Sequence, residues 1–150
     1  MTSIISVKDH RYYICRYNPQ FMSNTIAAYY AGELLALDEA TSFYTDEILE
    51  LEAKLTDLLH RDSIPQLAEN AEHFLDLLSK QQQQFLLLQQ QIQQQQNKLK
   101  QDHGLIEDKD FNPKTKLGQD SLRRSMFSCE KEYLEIKYNC LDFLSGIISH

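Results

Sequence analysis

The sequence predicts an all-α protein: an elongated antiparallel three-helix bundle, or coiled coil, preceded by a short N-terminal arm or hairpin. Three observations predict this class. Apolar residues recur at alternating steps of three and four along three long segments, which is the repeat of a coiled-coil seam. The 150 residues include only four glycines and three prolines, so turns are few and the elements must be long. A proline-containing start signal stands near the beginning of each segment.

Residues 1–18 differ in composition from the rest of the chain. They are rich in β-branched and aromatic residues on both sides of a polar break at residues 8–11. This pattern fits either a short β-hairpin or an extended arm. Two strands alone are marginally stable in water, so an ordered hairpin would have to lie on the bundle or on a partner. We therefore divide the chain into an N-terminal arm or hairpin, residues 1–18, and a helical bundle, residues 19–150.

The first helix is expected over residues 19–61. Asn18 and Pro19 form its start signal, with asparagine as the cap and proline at the first helical position. Its seam consists of Ala27, Tyr30, Leu34, Leu37, Thr41, Tyr44, Ile48, Leu51, Leu55 and Leu58. Three further leucines are expected to widen the buried stripe: Leu35, Leu49 and Leu59. A stripe of that width suits a helix with two neighbours.

The second helix is expected over residues 64–102. Ser63 and Gln66 form a capping box around Pro65, and Gly104 marks the end. Its seam consists of Leu67, Ala71, Phe74, Leu78, Gln81, Phe85, Leu88, Ile92, Gln95, Leu99 and Asp102. The break before it is too short for anything except a reversal, so the first two helices form an antiparallel hairpin.

The third helix is expected over residues 114–149. It begins either at the Asn112-Pro113 pair or after Gly118, where Asp120 or Ser121 would be the cap. Its seam consists of Leu122, Met126, Cys129, Tyr133, Ile136, Cys140, Phe143 and Ile147. A second stripe lies beside the seam and consists of Leu134, Tyr138, Leu141, Leu144 and Ile148. So broad a face implies burial on two sides, either in the groove of the bundle or also against another chain.

A glutamine tract lies within the second helix, with eleven glutamines in residues 81–96. Such a tract can be prone to aggregation. The apolar residues keep the heptad register through it, so we favour a helix whose solvent-exposed face is glutamine. Gln81 and Gln95 fall on the seam itself. A polar seam residue can determine register and partner, so these two residues point to a specific pairing, with another subunit as one option.

Aromatic residues are concentrated before and within the start of the first helix, close to Arg11 and Arg16. The set consists of Tyr12, Tyr13, Tyr17, Phe21, Tyr29 and Tyr30. Tyrosine together with arginine is typical of protein–protein interfaces. The alternative is that these side chains pack against the end of the rod.

The formal net charge is −7, and residues 21–62 hold nine acidic and two basic residues. The acidic face of the first helix is most simply a solvated surface, although it could also steer a basic partner. The residues of this face are Glu33, Asp38, Glu39, Asp46, Glu47, Glu50, Glu52 and Asp57. Nucleic-acid binding needs a basic face, and the one basic cluster, residues 114–124, is diluted by Asp120. We therefore expect no nucleic-acid partner.

Catalysis, metals and cofactors are not predicted. A di-metal carboxylate site needs inward-pointing Glu-x-x-His pairs, whereas Asp57 with His60 and Glu69 with His73 lie off the seams. The chain has no glycine-rich phosphate loop and no nucleophile motif. Cys129 and Cys140 occupy seam positions, where a thiol behaves as a small apolar group.

The sequence places the protein in a reducing, cytoplasmic compartment, apart from membranes. Its three cysteines form no disulfide framework, because Cys129 and Cys140 are separated by about 16 Å along one helix. The N-terminus lacks the charged and apolar regions of a signal peptide. No apolar run approaches the ~18 residues of a membrane span.

These features favour a non-catalytic helical scaffold or adaptor subunit of a multi-protein coiled-coil complex, such as those of the cytoskeletal, tethering or division machinery. Other helical subunits are the expected partners, in a hetero-oligomer rather than a homo-oligomer. The candidate partner-binding residues are Tyr12, Tyr13, Tyr17, Phe21, Tyr29, Tyr30, Gln81, Gln95, Tyr138, Leu141 and Leu144. The alternative is a stand-alone regulator, chaperone-like or inhibitor-like, that binds one partner protein 1:1.

Overall fold

A computed structural model of the chain describes residues 25–61, 64–102 and 112–148. Three α-helices account for these residues: α1 is Ile26–Arg61, α2 is Pro65–Asp102 and α3 is Pro113–Ile148. With 36 to 38 residues each, the helices are about 54–57 Å long. The described residues contain no strand, and the helices pack side by side, so the all-α three-helix bundle is confirmed. The predicted arm or hairpin over residues 1–18 lies outside the described residues.

The first helix begins later than residue 19. The side chain of Thr25 caps it, because the Thr25 hydroxyl accepts a hydrogen bond from the backbone N–H of Ala28 at 3.1 Å. Ile26 is therefore the first helical residue of α1, and the start signal at Asn18-Pro19 lies outside the described residues. In α2 the backbone N–H of Ala68 donates to the carbonyl of Ile64, so the helix begins at the predicted proline.

The earlier of the two starts considered for the third helix is correct. The side-chain oxygen of Asn112 accepts a hydrogen bond from the backbone N–H of Lys114 at 2.9 Å, and Pro113 is the first helical residue. Gly118 and Asp120 consequently lie inside α3, about one and a half and two turns from its start. Gly118 lies against the side chain of Gln95 and Asp120 forms an ion pair with Arg123, so neither residue begins the helix.

Cross-helix contacts confirm that α1 and α2 are antiparallel. Tyr44 of α1 stacks on Phe85 of α2, and Gln89, one turn further along α2, donates to the hydroxyl of Ser42 at 3.3 Å. Residue numbers thus fall on one helix as they rise on the other. Since α3 returns beside α2, α1 and α3 run parallel.

The core follows the predicted seams. Its buried members in α1 are Tyr30, Leu34, Ala40, Tyr44, Ile48, Leu51, Leu55 and Leu58. In α2 they are Ala71, Leu78, Phe85, Leu88, Ile92 and Leu99, and in α3 they are Leu122, Met126, Cys129, Tyr133 and Cys140. The predicted widening of the α1 stripe is partly wrong: Leu59 packs against the core, but Leu35 and Leu49 are 44% and 51% exposed. The stripe widens on the opposite side, at Glu33 and Ala40, because that side faces α3.

One aromatic side chain from each helix meets at the middle of the bundle. The ring centroids of Tyr44 and Phe85 lie 5.4 Å apart, and both rings contact Tyr133 at 5.2 and 5.8 Å. All three side chains are fully buried. Stacked, tilted and edge-on ring contacts at these distances stabilise a core beyond simple area burial.

Candidate interaction surface

The two seam glutamines are satisfied inside the chain. The amide nitrogen of Gln81 donates to the carbonyl of Cys129 at 2.9 Å and contacts its sulfur at 3.0 Å. The amide nitrogen of Gln95 donates to the carbonyl of Thr115 at 2.7 Å. Both side chains are buried, and the specific pairing that they make joins α2 to α3 of the same chain. The order of these contacts also makes α2 and α3 antiparallel.

A buried polar network continues from Gln95 across the whole bundle. Gln95 reaches the side-chain oxygen of Gln119, and the Gln119 amide donates to the Glu33 carboxylate of α1 at 2.7 Å. Arg123, one turn further along α3, donates to the other oxygen of Glu33 and lies over the ring of Tyr30. The hydrogen bond to Glu33 raises the pKa of Arg123 further above its ordinary value. Every member of this network therefore holds its neighbour in place.

The same arrangement recurs fourteen residues further along both helices. Glu47 accepts a hydrogen bond from the hydroxyl of Tyr133 at 2.9 Å. Its carboxylate also forms an ion pair with the ammonium group of Lys137 at 2.9 Å. Glu33 and Glu47 therefore each bind one neutral donor and one cation on α3, and we call these two arrangements the polar clamps. They correct the interpretation of both glutamates as part of a solvated acidic face, since each is paired with α3.

A third carboxylate lies buried between the polar clamps. Glu130 of α3 is 6% exposed and accepts a hydrogen bond from the hydroxyl of Tyr44. Burial raises the pKa of Glu130 above its ordinary value, because removing the carboxylate from water disfavours its charged form, and the Tyr44 hydrogen bond opposes this only in part.

Gly118 makes room for the first network. A Cβ atom at this position would lie 2.6 Å from the side-chain oxygen of Gln95, closer than non-bonded atoms approach. A glycine in a helix interior costs about 1 kcal/mol relative to alanine. The glycine is explained by the close approach of the Gln95 amide to the α3 backbone.

Only some of the predicted partner-binding residues remain accessible. Tyr12, Tyr13, Tyr17 and Phe21 lie outside the described residues. Tyr29 is 44% exposed, whereas Tyr30 is buried beneath Arg123. In the second stripe of α3, Leu141 and Leu144 are partly buried against the core. Tyr138 is partly buried as well, and its hydroxyl has no hydrogen-bond partner among the described residues.

The outer groove is the surface between α1 and α2 that faces away from α3. Leu35, Leu49 and Leu86 lie along it and are 44%, 51% and 45% exposed. The hydrogen bond between Ser42 and Gln89 places them together, because Leu35 and Leu49 are seven residues either side of Ser42 and Leu86 is one turn from Gln89. The outer groove thus carries an apolar row, two leucines of α1 spaced two heptads apart with Leu86 of α2 near the Ser42 position between them, of the kind that a further helix covers in larger bundles.

One end of the outer groove opens into a cavity of about 370 Å³. Its apolar wall belongs mainly to the start of α1. The lining residues are Ala27, Ala28, Ala31, Leu35, Gln96, Leu99 and Lys100. Small alanine side chains leave space there for a larger apolar side chain of a partner. Along its middle the groove between α2 and α3 is more polar, with cavities lined by Ser125, Ser128, Glu132, Glu135 and Asn139 among others. Its end near the start of α2 holds an apolar cavity of about 590 Å³ lined mainly by Ile64, Leu67, Phe143 and Ile147.

The buried thiols are unsuited to nucleophilic chemistry. Desolvation raises the pKa of Cys129 to about 12 and that of Cys140 to about 11, so both are protonated at neutral pH. Among the described residues, no group of three or more histidine, cysteine, aspartate or glutamate side chains is placed to hold a metal ion.

The polar clamps were not predicted from the sequence: their glutamates were interpreted as solvated, and their α3 partners were assigned to the seam or to the basic cluster rather than to contacts with α1. A usable signal existed, since Glu33 and Glu47 are fourteen residues apart, as are Gln119 and Tyr133, and Arg123 and Lys137. Within the described ranges no helix is both long and apolar enough to cross a bilayer. No protein family matches the chain, and no curated protein or solved structure is significantly similar to it.

Proposed function

We propose that the chain is a non-catalytic helical adaptor that binds an α-helix of a partner protein in the outer groove. The row formed by Leu35, Leu49 and Leu86 carries this proposal. These side chains share one groove but have no helix over them among the described residues. Covering half-exposed leucines contributes about 1 kcal/mol each, and the adjoining cavity offers a site for an apolar anchor.

The proposed partner is a helical subunit of another protein, which gives a hetero-oligomer. An interface of this kind is expected to leave the bundle itself unchanged, because its core and polar clamps are complete without the partner. The glutamines of α2 beside the groove provide a neutral, hydrogen-bonding rim, as is common around an apolar interface centre.

The double variant Leu35→Glu, Leu49→Glu tests the proposal. Tagged wild-type chain and variant are expressed in the native cells, and co-purified proteins are quantified by mass spectrometry. Two buried charges in the interface are expected to weaken partner retention by about tenfold or more. Leu87→Glu is the matched control, because Leu87 is 55% exposed but lies at the α2/α3 groove. A partner retained equally by all three chains would contradict the proposal.

A stand-alone regulator that binds one partner 1:1 is the second candidate. It is favoured by the internal hydrogen bonds of Gln81 and Gln95, because these two polar seam residues need no other subunit to satisfy them. The stoichiometry of the native complex distinguishes the two candidates. Light scattering that gives one partner copy per chain and no further subunit supports the regulator, whereas additional helical subunits in the same complex support the adaptor.

A further inference from the structure

The outer groove has an acidic edge on its α1 side. Asp38 and Glu52 are partly buried at this edge, and Asp46 is exposed beside it. No described lysine or arginine lies within ion-pair distance of these three carboxylates. Desolvation also raises the pKa of Glu52, and an adjacent cation would oppose that effect. The opposite edge, on α2, is formed by uncharged glutamines such as Gln89 and Gln96.

The outer face of α3 has the complementary character. Leu117 and Phe127 are 65% and 60% exposed on it, which makes them the two most exposed large apolar side chains in the described ranges. Arg124 and Lys131 are exposed between and beside them. Neither cation has a described carboxylate within ion-pair distance. The four residues recur at steps of seven, three and four, which is the spacing of a helical seam.

The two surfaces also match in spacing. In a parallel alignment that places Leu117 beside Ala31 in the groove cavity, Arg124 falls beside Asp38 seven residues on. Lys131 then falls within one residue of Asp46. This alignment has an offset of 86 residues, the offset at which Gln119 already meets Glu33 inside the chain. One apolar contact, at Leu117, and two charged contacts, at Arg124 and Lys131, therefore coincide in one register.

We propose that the outer groove of one copy binds the outer face of α3 of a second copy. In a three-helix bundle the outer face of one helix lies opposite the groove between the other two. The contact is therefore heterologous, and copies add head to tail rather than closing into a two-fold dimer. The inference rests on the proposed function only in using the same outer groove, so self-association and partner binding exclude each other.

Two variants separate this contact from other modes of association. Leu35→Glu with Leu49→Glu destroys the groove but keeps the α3 face, whereas Arg124→Glu with Lys131→Glu destroys the face but keeps the groove. Analytical ultracentrifugation of the purified chain over a range of concentrations is expected to show a growing series of oligomers. Each variant alone is expected to associate about tenfold or more weakly. Added salt is expected to weaken wild-type association, because the ion pairs are at the surface.

Mixing the two variants is the decisive measurement. The intact α3 face of one variant can still enter the intact groove of the other, so the mixture is expected to form a 1:1 dimer and nothing larger. Circular dichroism checks that each variant keeps its helices. A wild-type chain that stays monomeric, or a mixture that stays monomeric, would overturn the inference. If the wild-type chain is monomeric but retains its cellular partner, and the Leu35→Glu, Leu49→Glu variant loses that partner, the proposed function stands and the proposed self-association is wrong.

Discussion

Glu130 is the residue whose surroundings differ most from those expected of a glutamate on a coiled-coil surface. Its carboxylate is buried beside the aromatic cluster and is bound by the hydroxyl of Tyr44. A buried carboxylate without a cation is costly, and its protonated form is favoured in the folded state. Glu130 therefore couples the stability of the bundle to pH.

We expect Glu130→Gln to flatten this dependence. Because the folded pKa of Glu130 is raised above its ordinary value of 4.5, the folded chain binds this proton more tightly than the unfolded chain. Its contribution to the free energy of unfolding thus rises as pH falls towards 4.5 and is smallest at neutral pH. The amide of the variant can still accept the Tyr44 hydrogen bond and carries no charge to be desolvated, so the variant should be the more stable of the two proteins at pH 7. Urea unfolding at pH 7 and pH 5 checks this, and parallel curves for the two proteins would contradict it.

The effect of Gly118→Ala on the free energy of unfolding is expected to depend on residue 95: the substitution should destabilise the wild-type chain and stabilise a Gln95→Ala chain. In the wild-type chain the new methyl group displaces the Gln95 amide and breaks its buried hydrogen bonds, which should cost about 1–2 kcal/mol net of improved helix propensity. In a Gln95→Ala background that clash is gone, and the same substitution should stabilise the chain by about 1 kcal/mol. A double-mutant cycle from thermal or urea unfolding measures both effects. An equal effect in both backgrounds would show that Gly118 is not there to admit Gln95.

At the scale of elements, the three helix pairs are held together differently. The antiparallel pairs α1/α2 and α2/α3 meet through the apolar core, while the parallel pair α1/α3 is joined largely by the polar clamps. Glutamate on α1 reaches across to donors on α3 because parallel helices at matching heptads keep the same residues level with one another.

Loss of one clamp cation measures the strength of that attachment. Lys137 and Glu47 are 9% and 18% exposed, so Lys137→Met should leave a poorly solvated carboxylate and lower the free energy of unfolding by about 2 kcal/mol. Lys80→Met is the matched control, because its ion pair with Asp76 is exposed and should contribute less than about 1 kcal/mol. Adding Glu47→Gln to Lys137→Met should recover part of the loss. Equal effects of the two lysine substitutions in urea unfolding would show that the clamp is no stronger than a surface ion pair.

The sequence predicted the helices and most of their buried positions, because the three–four repeat reports directly which residues share a face. The repeat did not show on which side of the α1 seam the additional buried positions lie. Leu35 and Leu49 were assigned to the core on hydrophobicity alone, yet the direction of α3 decides that Glu33 and Ala40 are buried instead. Caps at Thr25 and Asn112 illustrate the same point, since several cap-compatible residues precede each helix and packing selects one.

At the scale of the whole molecule, the sequence predicted the number and order of helices but not the pairing between α1 and α3. Those contacts join residues 86 to 90 positions apart, so no local pattern reveals them. The exposed leucines of the outer groove became a candidate surface only when the bundle showed which apolar residues it leaves uncovered. The candidate surface therefore follows from which apolar side chains remain exposed after the helices pack. A count of apolar residues in the sequence does not identify them.

The fourteen-residue spacing of the polar clamps also protects the bundle against sliding. If α3 slipped by one heptad towards its start, Glu33 would meet Met126 and Glu130 while Glu47 would meet Cys140 and Leu144, so neither glutamate would find its cation. Slipping one heptad the other way brings Asn112 and Lys116 level with Glu33 but places Glu47 beside Met126 and Glu130, so only one of the two glutamates is paired. A slip of two heptads, about 21 Å, also restores only one clamp, and it uncovers over a third of the core contact. The observed alignment is therefore the one that satisfies both clamps.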